Sequence, residues 1–173
     1  MTMKKNRKAL LIALLNAAIF FILLLFHYSG ASIKIAGANP ISALALLVAV
    51  IMFSSELTGV CAGILTGIVM DGVAATPAGF NTVVLMLLSF AAAILSHYIF
   101  NRNVQSAATL CLLFTVVYYI ARWLVTFAFA GDLEGGFNYL IVTAAPSAVY
   151  TTLFIIPFYY LQKYLFSKIN SVR

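Results

Sequence analysis

The side chains that could carry out catalysis or bind a metal are few and scattered. The 173 residues include two histidines, two cysteines and four acidic residues. Cys61 and Cys111 lie inside apolar runs without a CxxC pair or Cys/His cluster, so neither zinc nor a disulfide framework is indicated. His27 and His97 have no second ligand at helical spacing, which favours an anchoring role at helix ends. With no Ser/His/Asp set, paired carboxylates or phosphate-binding glycine loop, we expect no enzyme activity and no cofactor.

Two charged residues, Asp71 and Arg122, stand out because they interrupt apolar segments. Asp71 follows Leu57 by 14 residues and Arg122 follows Ala107 by 15 residues, which correspond to about 21 and 22 Å of helix. Helices that run in the same direction would bring both charges to a similar depth. Because a charge in hydrocarbon normally pairs or faces water, we hypothesise an Asp71–Arg122 ion pair. Alternatively, Asp71 caps a helix end in water and Arg122 extends to the interface beside Trp123.

Three glycines precede Asp71 at intervals of four residues, namely Gly59, Gly63 and Gly67. This spacing places them on one face of a helix, where they form a groove that admits another helix backbone. The groove is expected either to pack against a helix of the same chain or to bind a partner protein. The same pattern is common in membrane helices, and it leaves both alternatives open.

The amino-acid composition indicates whether water or lipid surrounds the chain. Hydrophobic residues make up 64% of the chain and charged residues 8%, against about 25% charged residues in a soluble domain. The bilayer must therefore surround most of the chain. The net charge of +6 comes from residues at the ends of apolar runs, which is typical of topology signals and argues against nucleic-acid binding. The apolar run Ala9–Phe26 is longer than a signal-peptide core, so we interpret it as a retained first helix.

Apolar segments and their breaks predict an all-α, polytopic membrane bundle of about six transmembrane helices in a single domain, residues 1–173. Ser54-Ser55-Glu56 is the only break between Pro40 and Met70, and it predicts a tight turn between the second and third helices. A re-entrant hairpin is the alternative for these two helices. The predicted helices cover residues 9–28, 40–53, 57–72, 82–100, 105–130 and 137–166.

The distribution of Lys and Arg predicts that both termini are cytoplasmic. With the N-terminus inside, the outer loops hold only Lys34, Arg122 lies within a helix, and the remaining basic residues are inside. The inside set is Lys4, Lys5, Arg7, Lys8, Arg102, Lys163, Lys168 and Arg173. This bias follows the rule that cytoplasmic segments carry the basic residues.

The chain resembles the rod shape-determining membrane protein MreD family in three motifs that occur in the same order. They are Gly37-Ala-Asn-Pro40, Gly63-x3-Gly67-x3-Asp71 and Pro77-x-Gly79-Phe80-Asn81. The proline- and tyrosine-rich stretch Pro146–Leu165 also fits. The resemblance implies a non-enzymatic component of the bacterial cell-elongation machinery in the cytoplasmic membrane. Its partners would be a single-span periplasmic MreC-like protein, the MreB-like filament and peptidoglycan synthases. The motif positions carried over are Gly63, Gly67, Asp71, Pro77, Gly79 and Asn81.

A second function remains open, because MreD resembles the substrate-binding subunits of energy-coupling-factor vitamin transporters. Such a subunit requires a polar pocket open to the outside. The polar candidates in the predicted outer half, besides nearby tyrosines, are Asp71, Asn81, Arg122, Asp132 and Glu134. The genes adjacent to this one would separate the two functions.

Overall fold

The protein is helical throughout the part described by the structure, a computed structural model that describes residues 2–28, 41–73, 77, 79–128, 131 and 133–170. The predicted all-α class is confirmed. Lys34, the Gly37–Pro40 motif, Asp132 and Arg173 lie outside the described residues. The elements are α1 (Thr2–Tyr28), α2 (Ser42–Phe53), α3 (Glu56–Val73), α4 (Phe80–Tyr98), α5 (Val104–Trp123), a π-helical extension (Leu124–Ala128), α6 (Leu133–Tyr139), a second π-helical segment (Leu140–Ala144) and α7 (Ala145–Asn170).

Four of the helices are long and apolar enough to cross a membrane, which makes this a membrane protein. They cover Glu56–Val73, Phe80–Tyr98, Val104–Ala128 and Glu134–Lys168. The predicted membrane bundle is confirmed to this extent, and the spans predicted for the first two helices stay predictions. The apolar part of α1, Leu10–Leu25, is shorter. The 12 residues of α2 extend only about 18 Å, against about 30 Å of hydrocarbon.

The short helix α2 lies at the centre of the bundle. Ten of its 12 residues are buried, and it packs against α1, α3, α4, α5 and α7. A helix that is apolar on every side needs apolar surroundings on every side, and here the neighbouring helices supply them. Its first turn is also tied to α7, because the Ile41 N–H donates to the Thr151 hydroxyl at 3.2 Å. The centre of the protein is thus an apolar helix enclosed by longer ones.

The turn between α2 and α3 falls at the polar interruption Ser54-Ser55-Glu56. The Ser54 N–H still donates to the Val50 carbonyl at 2.9 Å, which closes the last turn of α2. Ser55 begins α3: its carbonyl accepts from the Gly59 N–H at 2.9 Å, and its hydroxyl contacts the Thr58 hydroxyl at 2.8 Å. Glu56 in the first turn suits the positive end of the helix dipole.

Aromatic contacts bring three separate segments to one end of the bundle. The Phe53 ring, at the end of α2, lies 5.2 Å from Tyr159 and 5.9 Å from Phe166 of α7, measured between centroids. The Tyr159 hydroxyl donates to the carbonyl of Arg102, which lies between α4 and α5. The α2–α3 turn, the α4–α5 loop and the C-terminal half of α7 therefore share one end. We call it the Arg102 end.

Candidate functional site

Asp71, near the C-terminus of α3, binds the first turn of α4. One carboxylate oxygen accepts from the Asn81 N–H at 2.9 Å. The other accepts from the Thr82 N–H at 2.9 Å and from the Thr82 hydroxyl at 2.6 Å. The first N–H groups of a helix have no partner within the helix, and the helix dipole favours negative charge there. Asp71 therefore stabilises the start of α4 through charge-assisted hydrogen bonds.

The residues that precede Asn81 explain why the cap must come from another helix. Gly79 occupies the capping position of α4 and has no side chain to offer the free N–H groups. Its φ of +85° lies in the left-handed region, which glycine adopts without strain. Pro77 accepts from the Phe80 N–H at 3.1 Å, which closes the turn into the helix. The Pro77-x-Gly79 part of the motif thus bends the chain, and Asp71 supplies the cap.

Asn81 extends this network to α5. Both Asn81 and Tyr118 are fully buried, and the Tyr118 hydroxyl donates to the Asn81 side-chain oxygen at 2.8 Å. Polar groups inside a membrane protein need internal partners, because hydrocarbon offers none. We call the set Asp71, Asn81, Thr82 and Tyr118 the polar clasp. It joins α3, α4 and α5 at the end of the bundle opposite the Arg102 end.

The glycine face of α3 (Gly59, Gly63 and Gly67) packs against helices of the same chain. A Cβ atom added to Gly63 would lie 2.6 Å from the Ser89 Cβ and 2.9 Å from the Leu85 carbonyl oxygen of α4. At Gly67 it would lie 2.8 Å from the Asn81 carbonyl oxygen. Gly59 faces Ile51 of α2, with a corresponding distance of 3.3 Å. Gly63 and Gly67 therefore hold α3 and α4 close enough for the polar clasp to form.

The hydrogen bonds to the Asp71 carboxylate come from the start of α4. The ion pair between Asp71 and Arg122 stays a prediction. Arg122 lies one turn beyond Tyr118, within electrostatic range of Tyr119 and Tyr139. The equal depths inferred from the sequence did not specify which way each side chain points around its helix.

The α5–α6 region beside Arg122 is closely packed through a second glycine contact. A Cβ on Gly136 of α6 would lie 2.9 Å from the Phe127 Cβ and would also contact the Trp123 indole nitrogen. The Trp123 and Phe137 rings contact each other in a tilted arrangement, with 6.1 Å between their centroids. Two π-helical segments, Leu124–Ala128 and Leu140–Ala144, flank this contact. The interval between the predicted helices 105–130 and 137–166 is thus partly helical, since α6 begins at Leu133.

A pair of amide side chains connects α1 to α7. The Gln162 amide donates to the Asn16 oxygen at 2.6 Å, and the Asn16 amide donates to the Gln162 oxygen at 3.4 Å. Gln162 is buried and Asn16 is half-buried. Such hydrogen bonds between helices are favourable in a bilayer, where neither amide finds water. The sequence analysis did not identify this pair, although an amide inside an apolar helix was a usable signal.

A cavity of about 670 Å³ separates α1 from α3, with α2 behind it and α7 at one end. We call it the lateral cavity. Its volume falls within the range of about 300–1,000 Å³ that is typical of ligand pockets. Its wall is mainly apolar and includes Leu46, Leu65, Val69 and Phe20. Most of the polar lining side chains (Asn16, Gln162, Ser54, Ser55 and Thr58) come from the segments near the Arg102 end, and Thr66 lies further along α3.

The predicted motif residues are brought together, whereas the remaining polar candidates are dispersed. Asp71 and Asn81 contact each other, and Gly79 shapes the turn between them. Glu134 is exposed in the first turn of α6. Thr82 and Tyr118 were not predicted, and only their buried position in the fold reveals them. In the part of the chain that the structure describes, no three His, Cys, Asp or Glu side chains form a group that could hold a metal ion.

Comparison with known proteins adds no relative to this description. Neither the family models, the curated proteins nor the solved structures contain a match to this chain.

Proposed function

We propose that this protein is a non-enzymatic integral membrane component of the bacterial cell-elongation machinery, similar to MreD, and that it resides in the cytoplasmic membrane. It would link an MreC-like single-span periplasmic protein with the MreB-like filament and the wall synthases. One observation carries the proposal: Asp71, Gly79 and Asn81, three positions of the MreD-like motif, meet in one hydrogen-bonded structure. Asp71 and Asn81 lie on either side of a turn in the sequence, and together with Gly79 they shape and cap the start of α4.

The hydrogen bonds of the polar clasp support a structural role for these residues rather than a catalytic one. The Asp71 carboxylate already accepts three hydrogen bonds from α4. Tyr118 in turn uses its hydroxyl to hold Asn81. The clasp therefore makes α3, α4 and α5 a rigid unit, which is what a protein that positions several partners in a membrane requires.

The proposed orientation places the Arg102 end in the cytoplasm. The bundle brings Arg102 and the C-terminal half of α7, which carries Lys163 and Lys168, to the same end. Basic residues favour the cytoplasmic side of a membrane. In this orientation the polar clasp faces the periplasm, on the side where an MreC-like partner would carry its soluble domain.

The alternative function, a substrate-binding subunit of a vitamin transporter, is less well supported. A polar vitamin requires several converging polar side chains. The lateral cavity has a mainly apolar wall, and most of its polar side chains lie at the end assigned to the cytoplasm. We therefore favour the cell-elongation function.

Isolation of the complex from the native membrane tests the proposal. The full chain, tagged at its C-terminus, is cross-linked in cells of its own host, and the captured proteins are identified by mass spectrometry. We expect a single-span periplasmic protein and an actin-like filament protein. Depletion of the chain should make rod-shaped cells round. Capture of ATPase and coupling subunits, with unchanged cell shape on depletion, would refute the proposal.

Matched glycine variants connect this test to the clasp. Gly67→Ala disturbs the start of α4, whereas Gly72→Ala on the same helix meets no atom of the described residues within 4 Å. At equal membrane levels, Gly67→Ala should reduce capture of the periplasmic partner and Gly72→Ala should not. Equal capture by both variants would show that the clasp does not support the partner surface.

A further inference from the structure

The lateral cavity opens between two helices toward the surrounding bilayer. Leu65 of α3 and Phe21 of α1 line it and are 64% and 56% exposed. The helix α1 itself packs on α2 and α7. Molecules in the bilayer can therefore enter the cavity from the side, between α1 and α3, without crossing the aqueous boundary.

The two ends of the cavity differ in polarity. From Thr58 to Val69 the α3 wall extends over 11 residues, or about 16 Å, and it faces apolar side chains of α1 and α2. At the Arg102 end, the Asn16–Gln162 pair and Ser54 supply hydrogen-bonding groups. An apolar shaft with a polar end matches an amphiphilic molecule with one hydrocarbon chain in the shaft.

Ser54 provides an independent indication of a ligand at the polar end. Its hydroxyl oxygen is shut off from solvent and has no hydrogen-bond partner among the described residues. A buried hydroxyl without a partner is costly, and a ligand acceptor would satisfy it. The Arg102 guanidinium lies 5.9 Å from the centroid of the Phe53 ring and 5.2 Å from that of Phe166. Both rings line the cavity, so a positive charge stands beside this end.

We propose that the lateral cavity binds one anionic phospholipid. One acyl chain lies along α3 between Thr58 and Val69, the Ser54 hydroxyl donates to an ester carbonyl, and Arg102 attracts the phosphate. The lipid completes the bundle by occupying the space between α1 and α3. This site is independent of the proposed role in cell elongation, since it rests on the cavity alone.

The volume of the cavity favours a lipid chain over a transmembrane helix of a partner. A spanning helix about 30 Å long and 10–12 Å wide occupies on the order of 2,000 Å³. The cavity offers about 670 Å³. A helix would therefore lie mostly outside it, or would displace α1 and break the Asn16–Gln162 pair. An acyl chain requires neither change.

Native mass spectrometry of the full chain, purified in mild detergent, tests the proposal directly. We expect wild-type protein to retain one phospholipid and to prefer added phosphatidylglycerol to phosphatidylcholine. Ala62→Phe places a ring inside the cavity and should abolish retention of the lipid, because the ring occupies the volume that the acyl chain fills. Ala91→Phe, on the exposed face of α4 outside the cavity, is the matched control and should retain the lipid.

A second variant and a native thiol keep the test decisive if Ala62→Phe does not fold. Ala17→Phe fills the cavity from the α1 wall and should have the same effect. Cys61 lines the cavity and is exposed, whereas Cys111 is buried and serves as an internal control. Removal of lipid should accelerate maleimide labelling of Cys61 but not of Cys111.

Three outcomes would overturn the inference. Retention of one lipid by both filling variants would place the lipid elsewhere. Equal retention of phosphatidylcholine and phosphatidylglycerol would contradict the role of Arg102. Protection of Cys61 by a co-purified single-span protein, without bound phospholipid, would assign the cavity to a partner helix instead.

Discussion

Replacing Gly67 with alanine should separate α3 from α4 and weaken the polar clasp. The added Cβ would lie 2.7 Å from the Thr82 nitrogen, whereas ordinary contact begins at 3.4 Å. Because the obstacle is backbone, α4 must withdraw by about 0.7 Å or more. The Asp71 bonds to the Asn81 and Thr82 nitrogens, each 2.9 Å, would then lengthen to about 3.6 Å, where a hydrogen bond is effectively lost.

The expected cost combines three effects. Overpacking costs about 1–3 kcal/mol, and weakened hydrogen bonds to a charged group cost about 1.5–3 kcal/mol. Alanine recovers about 1 kcal/mol because it favours helix more than glycine does. We therefore expect Gly67→Ala to lower the free energy of unfolding by about 2–4 kcal/mol.

Reversible unfolding by SDS in dodecyl maltoside micelles measures this difference. Trp123 is the single tryptophan, and its stacking on Phe137 makes its fluorescence a reporter of packing. Gly72→Ala is the control, because in the part of the chain that the structure describes no atom lies within 4 Å of its added Cβ. It should leave stability unchanged or raise it by up to about 1 kcal/mol. If Gly67→Ala were as stable as Gly72→Ala, the close approach of α3 to α4 would be refuted.

The same unfolding measurement tests three further contacts. Asp71→Ala should destabilise the protein by about 1.5–3 kcal/mol and Asp71→Asn by less, because the amide keeps one acceptor oxygen; an Asp71→Asn variant as stable as the wild type would exclude a contribution from charge. Tyr118→Phe removes the hydrogen bond to Asn81 and should cost about 1 kcal/mol, while the exposed Tyr160→Phe should change stability by less than about 0.5 kcal/mol. A double-mutant cycle of Asn16→Ala and Gln162→Ala should give a coupling energy of about 0.6–1.7 kcal/mol; additive effects would show that the pair does not hold α1.

Residue spacing along a single helix predicted more than any comparison between helices. The four-residue interval of Gly59, Gly63 and Gly67 placed these glycines on one face, and the structure shows that face in close contact with α4 and α2. Depth along a helix was also accessible, since it depends only on the rise per residue. The rotation of one helix relative to another was not accessible, and for this reason the contact of Asp71 with Thr82 was not predicted.

The buried partners within the clasp and the short central helix were harder to predict for related reasons. Tyr118 is one of nine tyrosines, and nothing in its local sequence separates it from those that face lipid. The apolar character of α2 predicted a helix but not its surroundings, because burial by protein and immersion in lipid favour the same residues. Its predicted bounds, residues 40–53, left a re-entrant hairpin open as the alternative to a span.

The position of α2 has a consequence for the order in which the protein assembles during synthesis. At 12 residues, it is too short to be held across the membrane by the translocon as an independent segment. We expect it to enter together with α3 as a hairpin. The Ile41 N–H group at its start has no Thr151 hydroxyl to bind until Thr151, 110 residues later in the chain, has been synthesised. The innermost helix of the bundle is thus among the first to be made and the last to be enclosed, when α7 leaves the ribosome.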